Sequence, residues 1–311
     1  MHFLFYIQIE KGNSFLKKIV SNLGFFKCRV TSRKKESDIT LYFFDISQMR
    51  NNLLFSPEIN RNITISGPWH YKCPEKNQII ACWGMNNPSR AVIDIDKRQI
   101  RFFISPYHWA RPVLVPIRFI KGAIYLLLLH SGIYTFHSSC LANDKNEAYM
   151  FLAPSGHGKS TVLRHLLRYG FKWIADDQVF LKSANNKIWA FSIFNQMGRN
   201  NDINLALMFG EENSMKAGAF LKSVLFVSIS HSDVTTISPL SRAEAKRVLG
   251  HSRQFLNPAY LESDSDYMKQ LYNTWSTLLI NTCSFFRMEC GKDVWDNSSR
   301  LYTILRDAEV F

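Results

Sequence analysis

One stretch of the chain, residues 148–177, constrains the fold more than any other. An apolar run of strand length, AYMFLA (148–153), leads into a glycine-containing loop, PSGHGKST (154–161). The segment TVLRHLLRYG (161–170) spaces its apolar residues along one helical face and ends on a glycine, and FKWIA (171–175) has the composition of a second strand. A strand, a tight loop, a helix and a further strand indicate a βαβ unit, which is typical of α/β proteins.

The loop itself matches the Walker A pattern of phosphate-binding loops, with Ala153 in place of the usual first glycine. Gly156 and Gly158 allow backbone conformations that a Cβ would block, so successive N–H groups can point at one phosphate. The helix that follows presents further N–H groups to the same anion. We therefore predict that a nucleotide is bound by Ser155, Gly156, His157, Gly158, Lys159, Ser160 and Thr161, with the His157 side chain facing solvent.

Two of these residues carry the chemistry of the loop. Lys159 is predicted to reach the β- and γ-phosphates of the nucleotide, and the Ser160 hydroxyl to ligate Mg²⁺. When no nucleotide is bound, we expect Lys159 to face solvent. A chance match in a glycine-containing loop is the alternative, and the flanking strand and amphipathic helix argue against it.

A pair of carboxylates, Asp176 and Asp177, stands at the end of the second strand. Phosphoryl transfer asks the protein for positioning, for charge neutralisation and for a carboxylate that accepts the hydroxyl proton. Adjacent carboxylates can divide this work, one facing Mg²⁺ or an orienting partner and the other a substrate hydroxyl. A loop or capping role is the alternative for an aspartate pair at a strand end.

Together these residues resemble the HPr kinase/phosphorylase superfamily, whose fold is related to that of phosphoenolpyruvate carboxykinase. Looser similarity continues in SVLFVSIS (223–230) and TTISPLSRAEAKRVL (235–249), which look like a strand, a strand and a helix of the HPr-kinase-like proteins in ribosomal peptide biosynthesis clusters. The resemblance covers residues 117–250 well, residues 1–116 only by organisation, and residues 251–311 weakly. The motifs that carry it are Ser155-Gly156-x-Gly158-Lys159-Ser160-Thr161, Gly170, Ala175-Asp176-Asp177 and His137 in FHSSC.

The resemblance implies an ATP- and Mg²⁺-dependent kinase that transfers the γ-phosphate to a serine hydroxyl of a peptide or small protein. By position, Asp176 resembles the base that faces the acceptor hydroxyl, and Asp177 and His137 resemble a pair beside the phosphates. Ser160 and Asp177 are then the expected metal ligands, although the sequence leaves open which aspartate does which job. Arg199, in QMGRNND, is a candidate phosphate or substrate contact, with a plain surface arginine as the alternative. The loop that bifunctional HPr kinases use for dephosphorylation has no counterpart, so a dedicated modifying enzyme fits better.

The fold class that follows is α/β, with an HPr-kinase-like P-loop kinase domain (117–311) preceded by a smaller β-rich N-terminal region (1–116). After three prolines, Pro106, Pro112 and Pro116, a helix is predicted over about 117–131. Short β-branched or aromatic runs predict N-terminal strands at LYFFD (41–45), ITISG (63–67), QIIACWG (78–84), AVIDID (91–96) and QIRFFIS (99–105).

Positive charge is concentrated in the first part of the chain. Residues 1–130 contain 19 Lys and Arg against 8 Asp and Glu, whereas residues 131–311 contain 19 against 17. A basic surface attracts anionic partners, so we expect the N-terminal region to recognise an acidic substrate. A solvated face that only keeps the protein soluble is the alternative. No nucleic-acid-binding motif accompanies the charge.

The cysteine pattern and the hydropathy of the chain bear on its cellular compartment. The 6 cysteines form no C-x-x-C pair and no zinc-ligand spacing, which indicates reduced thiols in a cytoplasmic protein. The most apolar run, AIYLLLL (123–129), is far shorter than the ~20 residues of a membrane span, and the start of the chain lacks a signal-peptide pattern. A homo-oligomer is compatible with the sequence. Two other functions stay open: an ATP-binding regulatory module without transfer activity, and a kinase of a small hydroxylated metabolite.

Overall fold

The computed structural model describes eleven segments of the chain: residues 4–9, 29–30, 38–45, 69–73, 77–83, 89–104, 114–154, 156–193, 216–251, 266–296 and 298–311. The predicted strand at 63–67 and two predicted site residues, Ser155 and Arg199, lie outside these segments. Contacts divide the chain into an N-terminal unit, residues 2–132, and a C-terminal unit, residues 133–257 and 265–311.

The N-terminal unit is built on a seven-stranded sheet in the order β2-β1-β3-β7-β6-β5-β4. Its strands β1, β2, β3 and β7 are parallel, and the ladder from β7 to β4 is antiparallel. Four of the five predicted strands are therefore confirmed, as β3, β5, β6 and β7. The bounds are β1 Leu4–Ile9, β2 Arg29–Val30, β3 Ile39–Asp45, β4 Trp69–Cys73, β5 Gln78–Trp83, β6 Ser89–Asp94 and β7 Gln99–Ile104.

The predicted helix is present as α1, Leu114–His130, which starts earlier than expected. Pro116 lies in its first turn, where the N–H that proline lacks has no intrahelical partner anyway, so the residue does not delay the helix. The helix packs against the sheet, with the rings of Phe102 and Phe119 edge to face at 6.2 Å. The contacts thus group α1 with the N-terminal unit, whereas the sequence-based boundary at residue 116 assigned it to the kinase domain. Of the helices that the structure describes, none has both the length and the apolar character needed to cross a membrane.

The C-terminal unit has a nine-stranded sheet with helices around it. The strands follow the order β11-β9-β10-β14-β13-β12-β8, and β16 pairs with β14 and β15. Its strands are β8 Ile133–Phe136, β9 Ser138–Ala142, β10 Glu147–Leu152, β11 Lys172–Ala175, β12 Val179–Ala184, β13 Lys187–Phe191, β14 Gly218–Ile229, β15 Thr236–Pro239 and β16 Ser284–Cys290. Its helices are α2 Lys159–Leu167, α3 Arg242–His251, α4 Asp266–Thr282, α5 Asp293–Asp296 and α6 Ser298–Asp307. The α/β class with a β-rich N-terminal sheet is confirmed.

The predicted βαβ unit consists of β10, α2 and β11, with one strand inserted in the sheet between them. β9 runs antiparallel to both β10 and β11, so these two strands are parallel to each other and end at the same edge. β9 begins at that edge, where Ser138 lies opposite Leu152. The topology therefore brings three short segments together: the loop after β10, the residues after β11 and the residues at the start of β9.

Packing on both sides of α2 holds this arrangement in place. The helix buries Val162, Leu163, Leu166 and Leu167, and β10 is fully buried from Ala148 to Leu152. The chain leaves the helix through Gly170, whose φ of +84° is the left-handed conformation expected of a C-terminal glycine. The buried face of the phosphate-loop helix thus packs against β9 and β11, and α6 packs on the helix as well.

Candidate active site

The loop between β10 and α2 has the backbone that its glycines predict. Gly156 has a φ of +83° and Gly158 a φ of +87°, both in the left-handed region that disfavours other residues. Gly158 is also the N-cap of α2 and carries no side chain that could cap the helix. The first N–H groups of the helix, which belong to Lys159, Ser160 and Thr161, have no intrahelical partner and suit an anion. His157 is exposed, as predicted.

Lys159 is not solvent-facing, so that expectation was wrong. The residue is only 7% exposed, and its Nζ donates hydrogen bonds to the carbonyl oxygens of Ala153 at 2.7 Å and Pro154 at 3.0 Å. Burial lowers the pKa of Lys159, while the charges of Asp176 and Asp177 act in the opposite direction. The two carbonyls that follow β10 satisfy the ammonium. It must exchange these bonds to contact a phosphate.

Asp176 is a buried carboxylate held by two hydroxyl groups. Its exposed fraction is 3%, and Oδ1 accepts hydrogen bonds from Ser139 Oγ at 2.5 Å and Ser160 Oγ at 3.0 Å. Oδ2 is buried and has no hydrogen-bond partner among the residues that the structure describes. Burial raises the pKa of Asp176, and the charge of Asp177 acts in the same direction. The two serine hydroxyls and the charge of Arg164 oppose the rise.

Asp177 has a contrasting environment. Its side chain is 45% exposed, and Oδ1 lies 3.0 Å from Nδ1 of His137, a side chain that is 23% exposed. The same Nδ1 lies 3.1 Å from the backbone oxygen of Asp177. The backbone φ of Asp177 is +89°, an uncommon conformation for a residue with a side chain and one that is often found at functional sites. The turn directs two adjacent carboxylates into different surroundings, one buried and one accessible.

The structure therefore brings together most of the residues that the sequence singled out. Ser160 of α2 contacts Asp176, and His137 at the start of β9 contacts Asp177. Ser160 was expected to share a metal with Asp177, yet the aspartate that it contacts is Asp176. Ser155 and Arg199 are outside the described part of the chain, and their roles stay predictions.

The donor set fits a magnesium ion that is shared with a nucleotide. Within the described segments, no group of three or more His, Cys, Asp or Glu side chains could hold a metal ion on its own. Mg²⁺ commonly uses one or two protein oxygens and takes its other ligands from phosphates and water. The unpartnered Oδ2 of Asp176, close to the Ser160 hydroxyl and the loop, is an oxygen of this kind.

Sequence reasoning missed two residues beside Asp176. Ser139 lies in FHSSC, two residues after His137, and an alternating pattern at a strand start was the signal that it would share a site with that residue. Arg164 lies four residues after Ser160, on the same face of α2, and its positive charge acts on Asp176. Arg164 Nε is buried and has no hydrogen-bond partner in the part of the chain that the structure describes.

Comparison with known proteins finds similarity to solved structures and to no family model or curated sequence. A solved structure of the Hpr(Ser) kinase/phosphatase from Coxiella burnetii is similar over 57% of this chain and 96% of its own, with a TM-score of 0.34 and 13% sequence identity.

Proposed function

We propose that the protein is an ATP-dependent kinase that transfers the γ-phosphate to a serine hydroxyl of a peptide or small protein. The observation that carries the proposal is the hydrogen bond between Ser160 and Asp176. It joins a glycine loop of phosphate-binding geometry to a carboxylate pair in which one member is buried and the other accessible. A loop that only bound an anion would not require the second, exposed carboxylate.

Asp176 and Ser160 are the proposed holders of Mg²⁺. Bound with the nucleotide, the ion would neutralise phosphate charge and polarise the transferred group. Asp176 Oδ2 and Ser160 Oγ would face it, and the ion would relieve the unfavourable burial of the carboxylate. Lys159 would leave the carbonyls of Ala153 and Pro154 and donate to the phosphates.

Asp177 is the proposed base, so the two aspartates exchange the roles that the resemblance implied. The support is accessibility, because a substrate hydroxyl can approach the exposed carboxylate of Asp177 and not the enclosed one of Asp176. His137 fixes the orientation of that carboxylate through Nδ1. The nearby Mg²⁺ would make Asp176 a poor proton acceptor.

The reaction follows from these positions. The serine oxygen of the substrate forms a bond to the γ-phosphorus while the bond from that phosphorus to the β–γ bridging oxygen breaks, and ADP leaves. The hydroxyl proton passes to Asp177. Positioning and charge neutralisation supply most of the rate, as is usual for phosphoryl transfer.

The proposed acceptor is an acidic peptide or small protein, encountered in the cytoplasm. The support is the excess of Lys and Arg in residues 1–130. Opposite charges raise the association rate and the local concentration of such a partner.

Transfer can be tested with purified protein, Mg·ATP and the serine-containing peptides encoded beside its gene, with mass spectrometry to detect a phosphate on serine. Asp177→Asn keeps the shape and removes the proton acceptor, so kcat should fall about 10²–10⁴-fold, the usual contribution of a general base. Mg·ATP affinity should remain, as measured by calorimetry. His137→Ala should lower kcat less.

Lys159→Ala serves as the binding control, since it should abolish Mg·ATP affinity and transfer together. Tight Mg·ATP binding by the wild type without phosphate on any peptide would replace the kinase with the regulatory module. Phosphate found on a small hydroxylated compound and on no peptide would favour the metabolite kinase. An Asp177→Asn variant with the wild-type kcat would rule out this residue as the base.

A further inference from the structure

Ser139 reaches the buried carboxylate from a third element of the fold. It is the second residue of β9, the strand that starts at the edge where β10 and β11 end. The side chain is fully buried, and its Oγ donates to Asp176 Oδ1 at 2.5 Å. We infer that Ser139 is a positioning residue, which keeps the carboxylate of Asp176 turned so that Oδ2 remains free for the metal. This inference rests on the proposed function.

The two hydroxyl groups on Asp176 Oδ1 have different tasks. Ser160 is also a proposed ligand of Mg²⁺, so its hydroxyl must present a lone pair to the ion and adjust its orientation when the nucleotide arrives. Ser139 has no second task, because its side chain is fully buried and it belongs neither to the loop nor to the first turn of the helix. Its hydrogen bond can therefore hold Oδ1 throughout, while the bond from Ser160 changes.

The same short segment also holds the second carboxylate. His137 lies two residues before Ser139, and its Nδ1 lies 3.0 Å from Asp177 Oδ1. Residues 137 and 139 thus contact the adjacent residues 177 and 176, respectively. Loss of the Ser139 hydroxyl should therefore change the orientation of Asp176, the proposed metal ligand. The contact between His137 and Asp177, the proposed base, should remain.

The neighbouring serine provides a matched control. Ser138 is equally buried, and its Oγ donates to the backbone oxygen of Phe136 at 3.4 Å. Successive side chains of a strand point to opposite faces, so Ser138 does not share the environment of Ser139. Both hydroxyl groups lie at the buried start of β9, but only that of Ser139 bonds the carboxylate.

The experiment measures ATP affinity by calorimetry, with Mg²⁺ and with a chelator, for wild type, Ser139→Ala, Ser139→Thr and Ser138→Ala. Residues that orient a metal ligand typically contribute about 10–100-fold to metal affinity. We expect Ser139→Ala to reduce the Mg²⁺-dependent gain in ATP affinity by about that factor. Metal-free ATP affinity should stay at the wild-type level, Ser139→Thr should restore most of the gain, and Ser138→Ala should keep it. Melting temperatures identify any variant that fails to fold. If Ser139→Ala does, Ser139→Cys, which keeps the side-chain volume and weakens the hydrogen bond, is compared with Ser138→Ala in its place and should show a reduced gain.

The possible outcomes separate this inference from the proposed function. If the wild type binds Mg·ATP and both alanine variants show the same Mg²⁺-dependent gain, Ser139 is only structural and the inference is overturned. If the wild type gains nothing from Mg²⁺, the proposed function fails and the inference fails with it. A Mg²⁺-dependent gain in ATP affinity that is lost in Ser139→Ala and restored in Ser139→Thr supports the positioning role. A packing defect would change ATP affinity with and without Mg²⁺ alike.

Discussion

At the scale of single residues, the site depends on an ionisable side chain in an unfavourable place. Asp176 is almost fully buried, and one of its two oxygens has no hydrogen-bond partner within the described segments. Its neighbours offset the burial only in part, since the pKa remains raised. Buried groups of this kind are common where a metal or substrate supplies the missing partner.

The raised pKa of Asp176 predicts how the stability of the protein changes with pH. The folded protein favours the neutral carboxyl more than the unfolded chain does. Its contribution to stability is therefore complete below the usual aspartate pKa of 3.8 and is lost as pH rises through the raised pKa. Asp176→Asn removes the charge. With a chelator present, the melting temperature of Asp176→Asn should therefore rise relative to that of the wild type as pH increases above 3.8.

The comparison is made by thermal unfolding in a series of buffers from acidic to slightly alkaline pH. Each 1 kcal/mol that the buried charge costs should lower the melting temperature of the wild type by about 2–4 °C for a unit of this size. Asp233→Asn is the control, because that side chain is 81% exposed and should give a difference that does not grow in the same way. A constant gap between Asp176→Asn and the wild type would show that charge burial is not the cause.

At the scale of elements, prediction from sequence worked where local chemistry decides the structure. The run AYMFLA, the glycines of the loop and the apolar face of the following helix are local signals, and each led to the observed element. The insertion of β9 between β10 and β11 was not foreseen, because strand order depends on pairing between distant residues. The alternation after His137 hinted that Ser139 shares its site, but the contact of Ser139 with Asp176 depends on the pairing of β9 with β11, which the sequence does not show. Lys159 was predicted to face solvent because the sequence does not reveal the carbonyl oxygens of Ala153 and Pro154 that its ammonium contacts.

The two ends of α2 allow the functional and structural roles of glycine to be separated. Gly156 and Gly170 have φ values of +83° and +84°, and a Cβ added to either would meet no atom of the described residues within 4 Å, chain neighbours aside. Alanine at either position therefore introduces backbone strain of about 1–2 kcal/mol without a steric clash. Both variants should unfold at lower temperature by similar amounts.

Only Gly156→Ala should also weaken Mg·ATP binding, because it alone lies in the loop whose N–H groups would face the phosphates. Calorimetry at a temperature where both variants are folded gives the answer. Equal ATP affinities for Gly156→Ala and Gly170→Ala would mean that the loop does not bind the phosphates through its backbone.

At the scale of the whole molecule, the two units differ in net charge and in how far their function can be predicted from sequence. The proposed chemistry lies entirely in the C-terminal unit, whereas the positive charge is concentrated in the first 130 residues. Charge counts need no structure, so this asymmetry was evident from sequence. The substrate surface itself depends on where the basic side chains lie, and many of them, including Arg33, Lys34 and Lys35, are outside the described segments.

The basic N-terminal region and the chemistry of the C-terminal unit can be separated by salt and by substitution. If the N-terminal unit attracts an acidic substrate, the KM for an acidic serine-containing peptide should rise steeply with salt, because exposed charges are screened over ~8 Å at 0.15 M ionic strength. Replacing Arg33, Lys34 and Lys35 with glutamine should raise this KM at low salt, flatten its salt dependence and leave the KM for ATP unchanged. The matched control replaces Lys292, Arg300 and Arg306, three exposed cations of the C-terminal unit, with glutamine. The control removes the same formal charge, so an equal effect of the two triple variants would assign the attraction to net charge alone. A peptide KM that does not change with salt would mean that the basic region serves solubility and not recognition.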